Sequence, residues 1–386
     1  MPLVFVHGVA TRQKPEYVAE VAQRDALFRH LVLHPEAVVL NPDWGSHGVT
    51  FTSGLPWLPK LMDNEALGVR RPAGAQAGLS DLAQRDVAEA VDLAVAASLD
   101  AAIEAAAIGG HPQDAVGDSV ELCTAAAAYL EREDATERKV GVGALNAGSD
   151  EDFLHALSQQ LRPKDGVEEF GPFDALQRGL DRIEDWVVNA VSDGALSLGR
   201  RPGSAFAALF LGDVFVYLRD RDTLGSGGVR ERLFQPILDD LVDAAKAARA
   251  DREPFVVIGH SLGGVILYDL LSDPDCLAAL EQATPGFKID LLVTVGSQPG
   301  FFADLKLYDG KPTTTGKLER PPVVDQWFNV FDFTDVFSFL AAPMFNGVED
   351  FSYDSVVGPV AAHTAYFKRP SFYQRLRRRL QARGFA

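Results

Sequence analysis

Residues 255–264 read Phe-Val-Val-Ile-Gly-His-Ser-Leu-Gly-Gly, and their types and order are those of a nucleophile site. An apolar β-branched run, Phe255 to Ile258, stops at Gly259, and from Val265 to Leu271 the pattern turns helical. This predicts strand, sharp turn and helix, with Ser261 at the apex. Gly259 and Gly263 flank the serine at the G-x-S-x-G spacing of a nucleophile elbow. A turn this tight needs neighbours without side chains, because the strand and helix backbones nearly touch there. It exposes the serine Oγ and aims backbone N–H groups at the same spot, where they can hold a developing oxyanion. A serine that merely caps the helix would leave the second glycine unexplained.

A serine hydroxyl is a weak nucleophile; it needs a base, and the base needs an orienting acid. Of the eight histidines only His363 follows Ser261 in the chain. Two aspartates, Asp332 and Asp335, follow the apolar run Trp327–Phe331, which reads as a strand. His30 and His34 are four residues apart, but no glutamate follows His30 as in a H-E-x-x-H zinc helix. Gly141, Gly143 and Gly148 do not fit G-x-G-x-x-G. Neither a metal nor a cofactor is expected.

At the start of the chain, Leu3-Val-Phe-Val-His-Gly8 reads as a buried strand ending in His-Gly. Together with the elbow it resembles the α/β-hydrolase superfamily. The resemblance implies a catalytic order of serine, acid, histidine, and therefore the set Ser261, Asp335, His363, with Asp335-Val336 most like the family's acid position and Asp332 its alternative. It implies oxyanion donors at the backbone N–H groups of Val9 and Leu262; His7 itself reads as a structural histidine that hydrogen-bonds the loop. The stretch Gly259-His-Ser-Leu-Gly-Gly264, with Asp213-Val-Phe-Val-Tyr-Leu218 upstream, is similar to bacterial lipase-like serine esterases of the inositol-deacylase branch. The similarity spans roughly 1–50 and 205–386. The function it implies is hydrolysis of carboxylic esters, lipidic ones foremost, through an acyl-enzyme. Thioesterase, amidase and peptidase chemistry would use the same residues. A non-catalytic interaction module would instead bind a partner through the middle of the chain.

The elements that would position these residues follow an α/β alternation. Strands are predicted at 3–6, 37–40, 255–258, 289–295 and 327–331, with helices at 16–33, 205–220 and 229–249. Strands separated by helices imply a mostly parallel central sheet with helices on its faces. Between 79 and 200 no strand pattern appears. One long alanine-rich helix is expected over 79–108, and others near 118–132, 150–161 and 173–196. The expected domains are therefore 1–78 and 205–386 as two parts of a sheet core, split by a helical insertion at 79–204. The proline-broken apolar stretch 51–59 reads equally as a lid over the site or as packed loop.

Composition narrows the classes further. Against 36 lysines and arginines stand 54 acidic residues, a formal charge of −18 over 386 residues. Such a surface repels phosphate backbones and argues against a nucleic-acid partner. Cys123 and Cys276 stand far apart, no N-x-[ST] sequon occurs, and the first residues form a strand and not a signal peptide. A cytoplasmic, reduced setting is expected. The last twenty residues carry seven basic side chains and no acid, with Phe372, Leu376 and Leu380 at helical spacing. That pattern fits the fold's docked terminal helix, its arginines near a helix C-terminus. The alternative is a peripheral membrane-surface helix.

Overall fold

The computed structural model describes residues 1–9, 11, 14–49, 78–131, 149–161, 176–177, 179, 200–221, 229–308, 313–314, 316–355 and 359–385. The sequence readings at 51–59, at 141–148 and over most of 173–196 lie outside these residues. The chain divides into two compact units. The first comprises Met1–Gln13, Glu36–Glu65 and Arg201–Asp354, and the second Lys14–Pro35, Ala66–Arg200 and Ser355–Ala386.

The strands of the first unit are β1 (Leu3–Val6), β2 (Val39–Leu40), β3 (Val256–His260), β4 (Ile289–Val295), β5 (Leu318–Glu319), β6 (Val324–Asp332), β7 (Phe345–Asn346) and β8 (Val348–Tyr353). Six of them form one sheet in the order β2-β1-β3-β4-β6-β8, and β5 pairs with β7. Every pairing among the described residues is parallel. A parallel sheet is covered on both faces, which is why its central strands read as unbroken apolar runs without alternation. Leu3 to Val6 are all buried, as are Val256 to Ile258 and Leu291 to Val295.

Among the described residues the second unit is helical. Its main elements are α1 (Pro15–Leu31), α2 (Leu79–Arg85), α3 (Val87–Gly109), α4 (Gly117–Leu130) and α5 (Asp150–Leu161). The helices of the first unit are α6 (Arg200–Asp220, its first residue counted with the second unit), α7 (Val229–Asp251), α8 (Leu262–Ser272), α9 (Pro274–Ala283) and α10 (Pro299–Asp304). The chain ends in α11 (Pro359–Ala365) and α12 (Pro370–Ala382), both in the second unit.

The long helix expected over 79–108 is two. Asp86 sits between α2 and α3 in extended backbone, and its carboxylate accepts hydrogen bonds from the N–H groups of Ala88 and Glu89. An aspartate that caps a new helix this way competes with continuation of the old one. The boundaries also differ from those read in the sequence. Residues 14–35 and 355–386, expected in the sheet core, belong with the helices. The reason lies in their partners. Arg369 is fully buried and faces Asp92 at 3.3 Å and Glu89 at 3.8 Å. Ser371 gives both its N–H and its hydroxyl to Asp92, and Lys368 pairs with Asp100. The apolar stripe of α12, Phe372, Leu376 and Leu380, is buried, and Tyr373 packs edge-on against Phe28 of α1. Arg375, Arg377, Arg378, Arg379 and Arg383 stay exposed. No helix among the described residues is long and apolar enough to cross a membrane.

The core of the first unit gathers around α7 and α8, which pack on β1 and β3. Within α7, partial burial and the neighbouring Asp243 and Asp239 push Asp240 up to about 6. A carboxyl that holds its proton more tightly folded than unfolded favours the fold at low pH. That contribution is full below the unfolded value near 3.8 and is lost as pH rises through about 6. Asp240→Asn is therefore expected to raise the melting temperature at pH 8 and to leave it unchanged at pH 3.5. Thermal melts of both proteins across that range check this; an equal shift at every pH would refute it.

Candidate active site

Parallel strands deliver their carboxyl ends to one edge of the sheet. Here the chain steps from β1 to β2 on one side and then to β3, β4, β6 and β8 on the other. The order reverses between β1 and β3, the place where open α/β sheets bind ligands. Register aligns the exits: Val6 pairs with Gly259, His260 with Val295, and Val295 with Val330. The segments that carry Gly8, Ser261, Gly296 and Asp332 thus leave their strands side by side.

Ser261 is the turn between β3 and α8, as the sequence predicts. Its backbone lies at φ 53°, ψ −129°, a region almost reserved for glycine. A non-glycine residue held there costs roughly 1–3 kcal/mol, which the surroundings must supply. Its N–H donates to the Val295 carbonyl at 3.0 Å, and its own carbonyl accepts from Gly264 N–H at 3.1 Å. The flanking glycines are required by contact. A methyl at Gly263 would overlap the carbonyl oxygens of Val6 and His7, and one at Gly259 would stand 2.7 Å from the Cα of Gly264. Leu262 opens α8, where the helix geometry leaves its N–H without an intrahelical acceptor.

The loop after β1 lies directly against the serine. A Cβ added at Gly8 would meet Ser261 Cβ at 2.6 Å and Ser261 Oγ at 3.2 Å. The carbonyl of Gly8 is held twice, by His7 Nδ1 at 2.9 Å and by Thr11 Oγ1 at 3.0 Å. That carbonyl and the N–H of Val9 belong to one trans peptide unit, so fixing the first aims the second the opposite way. His7 is buried, stacks on Trp44 with ring centroids 5.0 Å apart, and its carbonyl accepts the Trp44 indole N–H at 2.8 Å. It shapes the loop, as expected. Thr11 was not singled out from the sequence, where nothing marks a threonine three residues beyond a glycine.

Asp332 ends β6 and Asp335 lies in the loop beyond it; both are buried. Asp332 Oδ1 accepts from the N–H and the hydroxyl of Thr334, each at 2.8 Å. Asp335 Oδ1 accepts from Phe337 N–H at 2.9 Å. Each aspartate therefore organises its own turn, so holding the loop does not distinguish them. The loop is pinned further along by a row of polar residues across three strands. Thr294, Asn329 and Asp350 are register neighbours on β4, β6 and β8. Thr294 donates to Asn329 Oδ1 at 2.7 Å, and Asn329 Nδ2 donates to Asp350 at 2.7 Å and to the Phe339 carbonyl at 2.9 Å. The Asp350 carboxylate accepts from Ala341 and Ala342 N–H groups at 2.9 and 3.0 Å. Inside an apolar sheet such a row is stable only with every member bonded, and it fixes the loop that bears Asp335.

Two residues of the Asp213–Leu218 stretch, on α6, prove to be anchors. Asp213 accepts Val49 N–H at 2.6 Å. Tyr217 donates to Asp269 of α8, which also pairs with Arg221 at 3.1 Å. Complete burial, reinforced by the Asp269 carboxylate, holds the Tyr217 phenol well above the ordinary tyrosine range, so it remains a donor. His363, the expected base, lies in α11 and is buried; it belongs to the second unit, whereas Ser261, Asp332, Asp335, Val9 and Leu262 belong to the first. Among the described residues no group of three or more His, Cys, Asp or Glu side chains is gathered as a metal ion requires. Comparison of the chain with protein-family models, with curated proteins and with solved structures finds no match in any of the three.

Proposed function

We propose that this protein is a serine hydrolase of the α/β-hydrolase type that cleaves carboxylic esters through an acyl-enzyme, with Ser261 as nucleophile, His363 as base and Asp335 as the acid that orients and charge-balances it. The observation that carries the reading is the strained backbone of Ser261 at the switch point of a parallel sheet, with Gly8 packed on its side chain. A serine that only capped a helix would gain nothing from that conformation, so the strain has to serve something else.

In the proposed reaction His363 takes the Ser261 proton as Oγ attacks the ester carbonyl. The N–H groups of Val9 and Leu262 receive the oxyanion, and Asp335 stabilises the imidazolium. The alcohol leaves with that proton, and water then hydrolyses the acyl-enzyme with His363 again as base. An apolar acyl group is supported by the surroundings of Asp335. Phe333 is 83% exposed on the acid loop, and Val336, Phe339 and Leu340 follow it, with Phe301 of α10 stacked on Phe339 at 5.2 Å. Exposed apolar side chains grouped this closely mark a surface that meets an apolar ligand.

The test is labelling with a fluorophosphonate probe followed by mass mapping. Covalent modification at Ser261, lost in His363→Ala, is the expected result. Folded wild-type protein that takes up no probe, or takes it up at another serine, overturns the proposal.

A further inference from the structure

The turn after β4, Gly296-Ser-Gln-Pro-Gly300, touches both halves of the first unit's site. Ser297 is fully buried, and its Oγ donates to the carbonyl of Ser261 at 2.6 Å. Val295, two residues earlier, accepts the Ser261 N–H at 3.0 Å. The peptide groups on both sides of the strained serine are therefore held from the end of β4. The same turn grips the acid loop. The Ser297 carbonyl accepts Phe339 N–H at 3.1 Å. Gln298, also buried, donates through Nε2 to the Phe337 carbonyl at 2.6 Å and to the Gly296 carbonyl at 3.0 Å. Phe337 in turn gives its N–H to the Asp335 carboxylate at 2.9 Å. One short path, Ser261 to Ser297 to Gln298 to Phe337 to Asp335, joins nucleophile and acid without passing through either strand.

We infer that this turn is a bracket that sets the spacing between the nucleophile turn and the acid loop, with Ser297 and Gln298 as positioning residues; the inference rests on the hydrolase reading above. Neither side chain touches the reacting atoms. Each holds a backbone carbonyl whose displacement would carry a reacting group with it, and a misplacement of about 1 Å costs on the order of 100-fold in rate. The two side-chain arms act in series, so breaking either one leaves the spacing to the backbone bonds alone and loosens it. Their effects on rate should overlap, whereas two separate losses of stability would add.

The experiment is a double-mutant cycle on the full chain with Ser297→Ala, Gln298→Met and the pair. Ser297→Ala deletes one atom, and Gln298→Met keeps length while removing the donor, so the fold has little to accommodate. Turnover of p-nitrophenyl butyrate and the fluorophosphonate labelling rate are read beside melting temperature. Leu280→Ala, a cavity in α9 of the same core, serves as the destabilised control. Each single variant is expected to lose about 10- to 100-fold in kcat with KM within about twofold, and the pair to be no slower than the worse single. Full kcat in both singles, additive losses, or an equal loss in Leu280→Ala overturns the bracket while leaving the hydrolase reading intact. A wild-type protein inert to probe and ester overturns that reading, and the bracket with it.

Discussion

Ser261→Gly is expected to be more stable than Ser261→Ala by about 1 kcal/mol, and both variants to be inert. In ordinary backbone the order is the reverse, because glycine loses more freedom on folding, by roughly 0.5–1 kcal/mol. At φ 53°, ψ −129° the methyl of alanine keeps the strain that serine bears, and glycine removes it. Relief of roughly 1–3 kcal/mol then exceeds the entropic loss. Ester turnover should fall by on the order of 10³- to 10⁶-fold in each, since the proposed nucleophile is gone and only binding and the proposed oxyanion donors remain. Denaturant melts of the two variants, run beside turnover, separate the effects. An alanine variant that matches or exceeds glycine in stability would show that the turn stores no strain. Retained turnover in either would remove Ser261 from the chemistry.

The second large effect concerns the acid. Asp335→Asn is expected to lower kcat by about 10³- to 10⁴-fold, and Asp332→Asn by less than about tenfold, both with near-native melting temperatures. The comparison is clean because an asparagine Oδ1 is still an acceptor. It can keep the bond from Phe337 N–H at position 335, and at 332 the two bonds from Thr334. What changes in each case is the charge and the second oxygen, which becomes an N–H donor. Under the proposed mechanism, loss of rate reports which carboxylate serves the base. The opposite ranking would move the acid to Asp332. Two variants that both turn over at near wild-type rates would mean that neither aspartate serves the base.

Much of this arrangement is local, and local patterns are legible in a chain. The apolar run before Gly259 and the helical spacing after it place Ser261 at a turn because strand and helix periods differ, and the structure puts β3, Ser261 and α8 there. The unbroken apolar strands announce a parallel sheet covered on both faces, and six parallel strands are found among the described residues. The break at Asp86 was missed because alanine-rich helical periodicity runs on through it. The competing signal, one carboxylate reaching two N–H groups, is a matter of geometry and not of composition.

By itself the sequence determined which local turns present the candidate residues, since spacing and side-chain type act over a few residues. It placed the serine turn, the loop after β1, and the aspartates at the end of β6 and in the loop beyond it. Only the tertiary structure decided what holds them. Ser297 on the Ser261 carbonyl and the Thr294–Asn329–Asp350 row across three strands are hydrogen bonds between groups brought together by register. No period in the chain encodes them. The same holds for Arg369, whose neutralising partners Glu89 and Asp92 lie far away in sequence and tie the end of the chain to the helical unit. A buried charge must find its partner wherever the fold delivers one, and that is a property of the folded chain.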